Sequence, residues 1–241
     1  MPTVLLLRHG RSTANAAGIL AGRAAGVDLD AKGLEQADEA GRRLAGIDVV
    51  RVVCSPVVRC RQTAAAALAA AGITAEVVVD ERLSECDYGE WTGRKLSDLA
   101  REGIWRTVQD APSEVVFPGG ETMLGMRDRV VAAVREHDDE VRARYGDHAV
   151  VLVVSHGDPI KAVASDALGQ PFDRFQRIMV DPASLTVVHY GADRPFVCAL
   201  NTLTGPVAPY VPPAPVTDAA VGGGAGADSP VPVPSAEEEA S

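Results

Sequence analysis

Short apolar runs rich in β-branched residues alternate with helical patterns along most of the chain. Five runs have the length and composition of strands: Val4–Leu7, Val49–Val53, Glu76–Val79, Val150–Val154 and Leu185–Tyr190. Apolar residues at helical spacing, punctuated by glycines, predict helices over Leu34–Leu44, Arg59–Ala71, Met123–Tyr145 and Pro159–Leu168. This alternation is typical of an α/β layer fold. The first and fourth strands are apolar on both faces, so we expect them in the centre of a covered sheet.

The alternation stops near residue 203. The remaining segment, 204–241, holds eight of the sixteen prolines, the run Gly222-Gly223-Gly224 and an acidic end. It has too few apolar residues to offset the entropy of ordering it. We therefore predict one domain over residues 1–203 and a disordered Pro/Gly/Ala-rich acidic tail over residues 204–241.

The charge of the chain argues against a polyanionic partner. The formal net charge is −10, and the tail, with five acidic residues and no basic one, supplies half of it. A mildly acidic domain without a basic stripe is not expected to bind nucleic acid or an anionic membrane. Any anionic ligand must therefore be held by a local cluster of cations.

The cysteines indicate a reducing compartment. Cys54, Cys60, Cys86 and Cys198 form no Cys-x-x-Cys pair and are too sparse for a disulfide scaffold. The sequence also shows no export signal and no apolar run long enough to cross a membrane. We expect a soluble cytoplasmic protein.

Two predicted strands run directly into a histidine, in Leu7-Arg8-His9-Gly10 and in Val154-Ser155-His156-Gly157. Ligands of open α/β sheets bind beyond the carboxyl ends of the strands, so the two histidines could face one another there. An imidazole in such a place can act as nucleophile, base or metal ligand. The cations Arg8 and Arg11 beside His9 disfavour a metal and favour a bound phosphate.

A third segment, from Cys54 to Ala64, follows another strand and opens a helix with Arg59 in its first turn. Backbone N–H groups at such a position attract anions. Phosphoryl transfer needs its negative charge neutralised, and several arginines can do this where no metal motif is present.

Together these segments resemble the histidine phosphatase superfamily, the phosphoglycerate mutase-like proteins of branch 1. The family's Arg-His-Gly-x-[Ser/Thr]-x-x-Asn opening is matched by residues 8–15, and later blocks follow in the family's order over about residues 3–190. These blocks are Leu29 and Gly33 to Gln36-Ala37, Ser55-Pro56 to Arg59 and Thr63-Ala64, Leu83 to Gly93, Pro118 to Thr122, and Ser155-His156-Gly157. The resemblance implies a three-layer αβα sandwich with a mostly parallel central sheet.

The resemblance also implies roles for individual residues. His9 is similar to the nucleophile that becomes a phosphohistidine, and Glu85 to the general acid that protonates the leaving oxygen. Arg8, Arg59 and His156 are similar to the pocket that binds the phosphate oxygens, with His156 most useful when charged. The further substrate-binding residues are Asn15, Arg11, Ser12, Gly22 and Gly157. Neither a metal nor a cofactor is implied.

Arg11 departs from the family, because most relatives carry Glu or Gln at this place. Two interpretations stay open: Arg11 adds affinity for a multiply charged substrate, or it points to solvent. In the first case Arg11→Gln raises KM, and in the second it leaves KM unchanged.

Three functions are compatible with these residues. A phosphatase acting on a small phosphorylated metabolite is favoured over a cofactor-dependent phosphoglycerate mutase. The resemblance implies that mutases of this family carry a long insertion between the Glu85 block and the His156 block, and residues 94–117 are too few to contain it. A non-catalytic phosphate-binding protein is disfavoured because all five catalytic positions are intact. The resemblance further implies a homodimer or homotetramer, and the specificity walls are expected from Leu96–Phe117 and Ile19–Asp28.

Overall fold

The computed structural model of the protein describes residues 2–191, 193–204 and 221–224. Its centre is a six-stranded sheet with the order β3-β2-β4-β1-β5-β6. The strands are β1 Thr3–Arg8, β2 Val49–Cys54, β3 Val77–Val79, β4 Val150–Ser155, β5 Leu185–Tyr190 and β6 Pro195–Thr202. The first four strands in this order are mutually parallel, β5 pairs antiparallel with β1, and β6 pairs antiparallel with β5. The predicted mostly parallel sheet is confirmed.

Helices cover both faces of the sheet. They are α1 Thr13–Ala16, α2 Ala31–Leu44, α3 Val58–Ala71, α4 Leu96–Leu99, α5 Gly103–Asp110, α6 Met123–Tyr145 and α7 Gly157–Ala167. Alternate residues of β1 divide between two apolar clusters: Leu5 and Leu7 pack with α2 and α3, whereas Val4 and Leu6 pack with α6 and α7. This alternation produces the three-layer αβα sandwich and explains why β1 is apolar on both faces.

The predicted elements agree with the structure where the pattern is long. Helix α6 has the predicted bounds, and the other three predicted helices differ by one to three residues at their starts. The pattern missed β6, an edge strand that begins at Pro195, a residue that weakens a strand assignment. It also missed α1, α4 and α5, which are too short to show a helical period.

Strand pairing brings the two histidine segments together. Arg8, the last residue of β1, is paired in register with Ser155, the last residue of β4. The backbone N–H of His9 donates to the carbonyl of Ser155 over 3.0 Å. His9 and His156 therefore leave the sheet side by side, with their ring centroids 5.2 Å apart.

The predicted tail lies largely outside the described residues. Of residues 204–241 the structure describes Thr204 and 221–224. Val221–Gly223 forms a 3-10 turn, and Val221 is buried in the apolar cluster that contains α6 and α7. At these four residues the chain is packed against the domain, which differs from the expected disorder. For the rest of the tail disorder stays a prediction.

None of the helices in the described part of the chain combines the length and apolarity that crossing a membrane requires.

Candidate active site

His9 is presented as a neutral imidazole with a lone pair at Nε2. Its Nδ1 lies 2.7 Å from the carbonyl oxygen of Gly10, which can only accept, so Nδ1 carries the proton. The side chain is 2% exposed. Burial, and then the nearby cations Arg59 and Arg8, hold the pKa of His9 well below its ordinary value. His9 therefore remains neutral, as a nucleophile requires.

Arg59 bridges the two histidines from the first turn of α3. Its Nε donates to Nε2 of His9 over 3.1 Å, and its Nη2 donates to Nδ1 of His156 over 3.0 Å and to the carbonyl of Gly22 over 2.7 Å. Its Nη1 is buried and has no hydrogen-bond partner among the residues that the structure describes. A buried guanidinium donor without a partner is suited to receive an anion.

His156 is neutral as well, and its tautomer follows from its neighbours. Because Arg59 donates to Nδ1, the proton lies on Nε2, which donates to Oγ of Ser55 over 2.8 Å. Burial, and then the charge of Arg59, hold the pKa of His156 well below its ordinary value. The charged His156 that the resemblance favours is thus not the state of this structure, and charging it needs a nearby anion.

Glu85 lies on the loop after β3 and is 2% exposed. Burial, and then the negative charge of Asp158, raise the pKa of Glu85 to about 7. Its Oε1 accepts from the backbone N–H of Cys86 over 2.9 Å. A carboxyl group with this pKa carries a proton for part of the population at neutral pH and can act as an acid.

Asp158 is the second residue of α7 and is fully buried. It accepts hydrogen bonds from the Tyr88 hydroxyl over 2.7 Å and from Nζ of Lys161 over 3.3 Å. These donors stabilise a buried carboxylate next to Glu85. Sequence reasoning did not single out Asp158, although it directly follows the Ser155-His156-Gly157 block.

A small cavity joins these groups. Its volume is about 20 Å³, and it is lined by His9, Asn15, Ile19, Leu20, Ala21, Gly22, Arg59, Glu85, Tyr88, Leu96, Val221, Gly222 and Gly224. Both segments from which specificity walls were expected contribute: residues 19–22 from one and Leu96 from the other. Tyr88, although it belongs to a matched block, and the tail residues were not among the predicted site residues.

Among the described residues, the cavity lining leaves out five predicted site residues: His156, Gly157, Ser12, Arg11 and Arg8. The ring of His156 lies edge-on to that of His9, and Gly157 is the buried first residue of α7. Ser12 caps α1 and exchanges hydrogen bonds with Asn15, so it shapes the loop. Arg11 forms an ion pair with Asp30, with 2.7 Å between Nε and Oδ2. Neither of the two interpretations of Arg11 included this ion pair.

Arg8 is also absent from the cavity lining, although it is fully buried next to it. Its Nη1 donates to the carbonyl of Val180 over 2.7 Å, and its Nη2 donates to the carbonyls of Gly222 and Gly224 over 3.3 and 2.7 Å. Burial lowers the pKa of Arg8 to about 10, so the guanidinium keeps its charge at neutral pH. The tail residues thus stand between Arg8 and the cavity.

No group of three or more metal-ligating side chains in a suitable arrangement occurs within residues 2–191, 193–204 and 221–224.

The fold and the site define an α/β protein with two strand-end histidines bridged by a buried arginine. The family profile described as histidine phosphatase superfamily (branch 1) matches residues 4–203. The chain belongs to this superfamily.

The relatives include phosphatases and phosphoglycerate mutases, which supports the conclusion that this protein is an enzyme. Phosphoserine phosphatase 1 of Hydrogenobacter thermophilus is 30% identical over 204 residues, which cover 83% of this chain and 92% of that protein. A 2,3-bisphosphoglycerate-dependent phosphoglycerate mutase of Thermoplasma acidophilum is 28% identical over 211 residues, which cover 88% of this chain and 98% of that protein.

A similar fold occurs in the solved structure of a mycobacterial glucosyl-3-phosphoglycerate phosphatase complexed with VO3. The TM-score is 0.73 at 24% identity, and the match covers 83% of this chain and 99% of that one. At this identity the likeness concerns the fold alone.

Proposed function

We propose that the protein is a phosphatase that hydrolyses small phosphomonoesters through a phosphohistidine on His9, with Glu85 as general acid and without a metal. The observation that carries the proposal is the bridging of His9 and His156 by Arg59, whose Nη1 remains available beside the same cavity that Glu85 lines. A nucleophile, an anion-binding donor and a proton donor thereby share one small space.

In the first step the Nε2 lone pair of His9 attacks phosphorus and the ester P–O bond breaks. Arg59 gives up its hydrogen bond to Nε2 and donates to the phosphoryl oxygens, whose charge it neutralises. Glu85 transfers its proton to the departing oxygen, so the product leaves as a neutral alcohol. Nδ1 keeps its proton and donates it to the carbonyl of Gly10, and this hydrogen bond stabilises the positive imidazole that forms.

In the second step the Glu85 carboxylate takes a proton from water. The resulting nucleophile attacks phosphorus, the P–N bond breaks, and inorganic phosphate leaves with His9 neutral again. Glu85 is then protonated for the next turnover, so the two steps together consume one ester and one water. One side chain can serve both steps because its pKa of about 7 lies near neutral pH.

The missing insertion does not by itself separate a phosphatase from a mutase. The Thermoplasma mutase is matched over 98% of its own length, so a protein with a mutase name occurs at this chain length. Sequence identity does not separate them either, since phosphoserine phosphatase 1 is 30% identical and a probable phosphoglycerate mutase of Erwinia tasmaniensis is 31% identical. The phosphatase remains the proposal because Glu85, with a pKa of about 7, can take a proton from water in the same cavity that His9 lines. The mutase relative supports the second candidate, a phosphomutase that uses the same phosphohistidine.

Hydrolysis assays with EDTA present test the proposal. The substrates are p-nitrophenyl phosphate, phosphoserine and 3-phosphoglycerate, and wild type is compared with His9→Ala and with the matched control His148→Ala in an exposed turn. We expect phosphate release by wild type and His148→Ala and none by His9→Ala. Interconversion of 2- and 3-phosphoglycerate without phosphate release would support the mutase instead. Turnover that survives His9→Ala would refute both.

A further inference from the structure

The segment Val221–Gly224, which we call the tail turn, is seated in the candidate active site. Val221 is 1% exposed and packs in the core cluster that includes Leu20 and Tyr88. The backbone N–H of Gly222 donates to Oδ2 of Asp158 over 3.2 Å. The tail turn therefore has an apolar anchor and a polar one, both on residues that surround the cavity.

The tail turn also presents acceptors to a cation. The carbonyl oxygens of Gly222 and Gly224 accept from Nη2 of Arg8 over 3.3 and 2.7 Å. A phosphoryl oxygen that bound to this side of Arg8 would need the same donor. The two carbonyls thus take the hydrogen bonds that an anionic ligand would make.

Gly222 fits this place because it has no Cβ. Its φ is +69°, and a Cβ would lie 3.0 Å from Cδ1 of Leu20, 3.4 Å from the hydroxyl of Tyr88 and 3.9 Å from Oε2 of Glu85. A side chain here would be strained and would crowd the cavity wall. The contact therefore depends on the glycine itself.

With the tail turn in place, little room remains. The cavity of about 20 Å³ has three of its lining residues from the tail turn. A single water needs roughly 10–15 Å³ on the same measure. A phosphoryl group with its ester substituent is much larger than one water, so it requires the tail turn to leave.

We propose that the active-site pocket is a binding site for the glycine-rich backbone of the chain's own tail turn, which competes with the phosphate ester. The inference rests on the proposed function in one respect, since it takes the pocket beside Arg8 as the phosphate site. The tail turn lowers the affinity for phosphate esters and leaves the chemical step unchanged.

The strength of this competition follows from charge. The carbonyls are neutral, whereas a phosphate is an anion, and charge-assisted hydrogen bonds are roughly twice as strong as neutral ones. Ordering glycine backbone also costs conformational entropy. Covalent linkage works in the other direction, because it gives the tail turn a high effective concentration. A ligand at sufficient concentration therefore displaces the tail turn, and the effect falls on KM.

The test uses the full chain with Gly222→Val, which places a β-branched side chain against Leu20, Tyr88 and Glu85. The matched control is Gly46→Val, at a φ of +81° with no atom within 4 Å of its Cβ. Calorimetric titration with inorganic phosphate measures affinity without turnover, and p-nitrophenyl phosphate kinetics give KM and kcat. We expect Gly222→Val to bind phosphate at least threefold more tightly and to lower KM by a similar factor, with kcat unchanged. Gly46→Val should match wild type.

A peptide of residues 217–228 added to Gly222→Val should raise KM competitively. Equal phosphate affinity in wild type and Gly222→Val would overturn the inference, as would a fall in kcat, which would mean that the tail turn assists catalysis. Tighter phosphate binding by Gly222→Val in a protein that hydrolyses no ester would sustain competition by the tail turn and refute only the phosphatase. Normal ester hydrolysis with equal phosphate affinity in wild type and Gly222→Val would refute competition by the tail turn and leave the phosphatase standing.

Discussion

The Nε atom of Arg59 donates a hydrogen bond to Nε2 of His9 over 3.1 Å. Since the Nδ1 proton of His9 is directed to Gly10, this contact fixes the lone pair on the atom that faces the arginine. The charge of Arg59 also opposes protonation of His9. Arg59 therefore helps to orient the candidate nucleophile and, together with burial, keeps it neutral.

Arg59→Gln should raise the pKa of His9 toward its ordinary value, because a cation that disfavours the imidazolium is lost. The acid limb of the pH profile of kcat/KM should move to higher pH, and kcat/KM should fall about 10²- to 10³-fold with the loss of the phosphoryl contact. NMR titration of His9 and kinetics from pH 4 to 9 measure the two effects. Arg61→Gln, an exposed arginine of the same helix, is the control. An unchanged acid limb in Arg59→Gln would contradict the assignment.

Glu85→Gln should show a strong dependence on the leaving group. An alkoxide such as that of phosphoserine needs a proton from the enzyme, whereas p-nitrophenolate leaves without one. We expect kcat for phosphorylation of His9 to fall about 10²- to 10⁴-fold with phosphoserine and much less with p-nitrophenyl phosphate. Single-turnover kinetics with both esters isolate this step. Equal losses for the two esters would argue against Glu85 as the acid.

Asp158→Asn should shift the basic limb of the pH profile of kcat/KM to lower pH. Burial and the charge of Asp158 raise the pKa of Glu85 to about 7, while Arg59 and Arg8 oppose the rise. With Asp158 neutral, Glu85 loses its proton at lower pH, so kcat/KM for phosphoserine should decline from below pH 7 instead of near it. Tyr88→Phe removes a hydrogen bond to Asp158 but retains its charge and should shift the limb less. A limb that stays in place in Asp158→Asn would refute the electrostatic coupling.

Arg11→Gln should leave KM within about twofold of wild type, because its guanidinium is paired with Asp30 and does not line the described cavity. The pair is partly exposed, and such pairs contribute about 0–1 kcal/mol, so the free energy of unfolding should fall by no more than that. Urea denaturation and steady-state kinetics measure the two quantities. A clear rise in KM would restore the interpretation in which Arg11 binds a second charge of the substrate.

Gly33→Ala should destabilise the loop that carries His9. A Cβ at Gly33 would lie 2.0 Å from the carbonyl oxygen of Arg11, and one at Gly10 would lie 2.3 Å from the carbonyl oxygen of Gly33. Backbone atoms cannot move aside cheaply, so we expect a loss of about 3 kcal/mol in the free energy of unfolding. Gly103→Ala, where no atom lies within 4 Å, is the control and should be close to neutral. Similar stabilities for the two variants would disprove this close approach.

The sequence predicted an α/β layer fold and two histidines at strand ends because both depend on local pattern. Strand β1 alternates between two apolar clusters, and helix α6 is long enough to show its period over its full length. The edge strand β6 escaped prediction because it starts with Pro195 and buries little. The short helices α1 and α4 offer a single turn each, which is too little for a period to appear.

The candidate site divides in the same way. The sequence by itself determined that His9 and His156 each follow a buried strand and that Arg59 opens a helix after a third strand, all at the edge where the strand ends of a parallel sheet meet. The sheet order then made the two histidine strands neighbours. Only the tertiary structure decided that both histidines are neutral, that Glu85 has a raised pKa, that Arg11 is paired with Asp30 and that Gly222 lies against Asp158. These properties arise from burial and from charges contributed by segments far apart in the chain, and a local pattern carries no information about such neighbours.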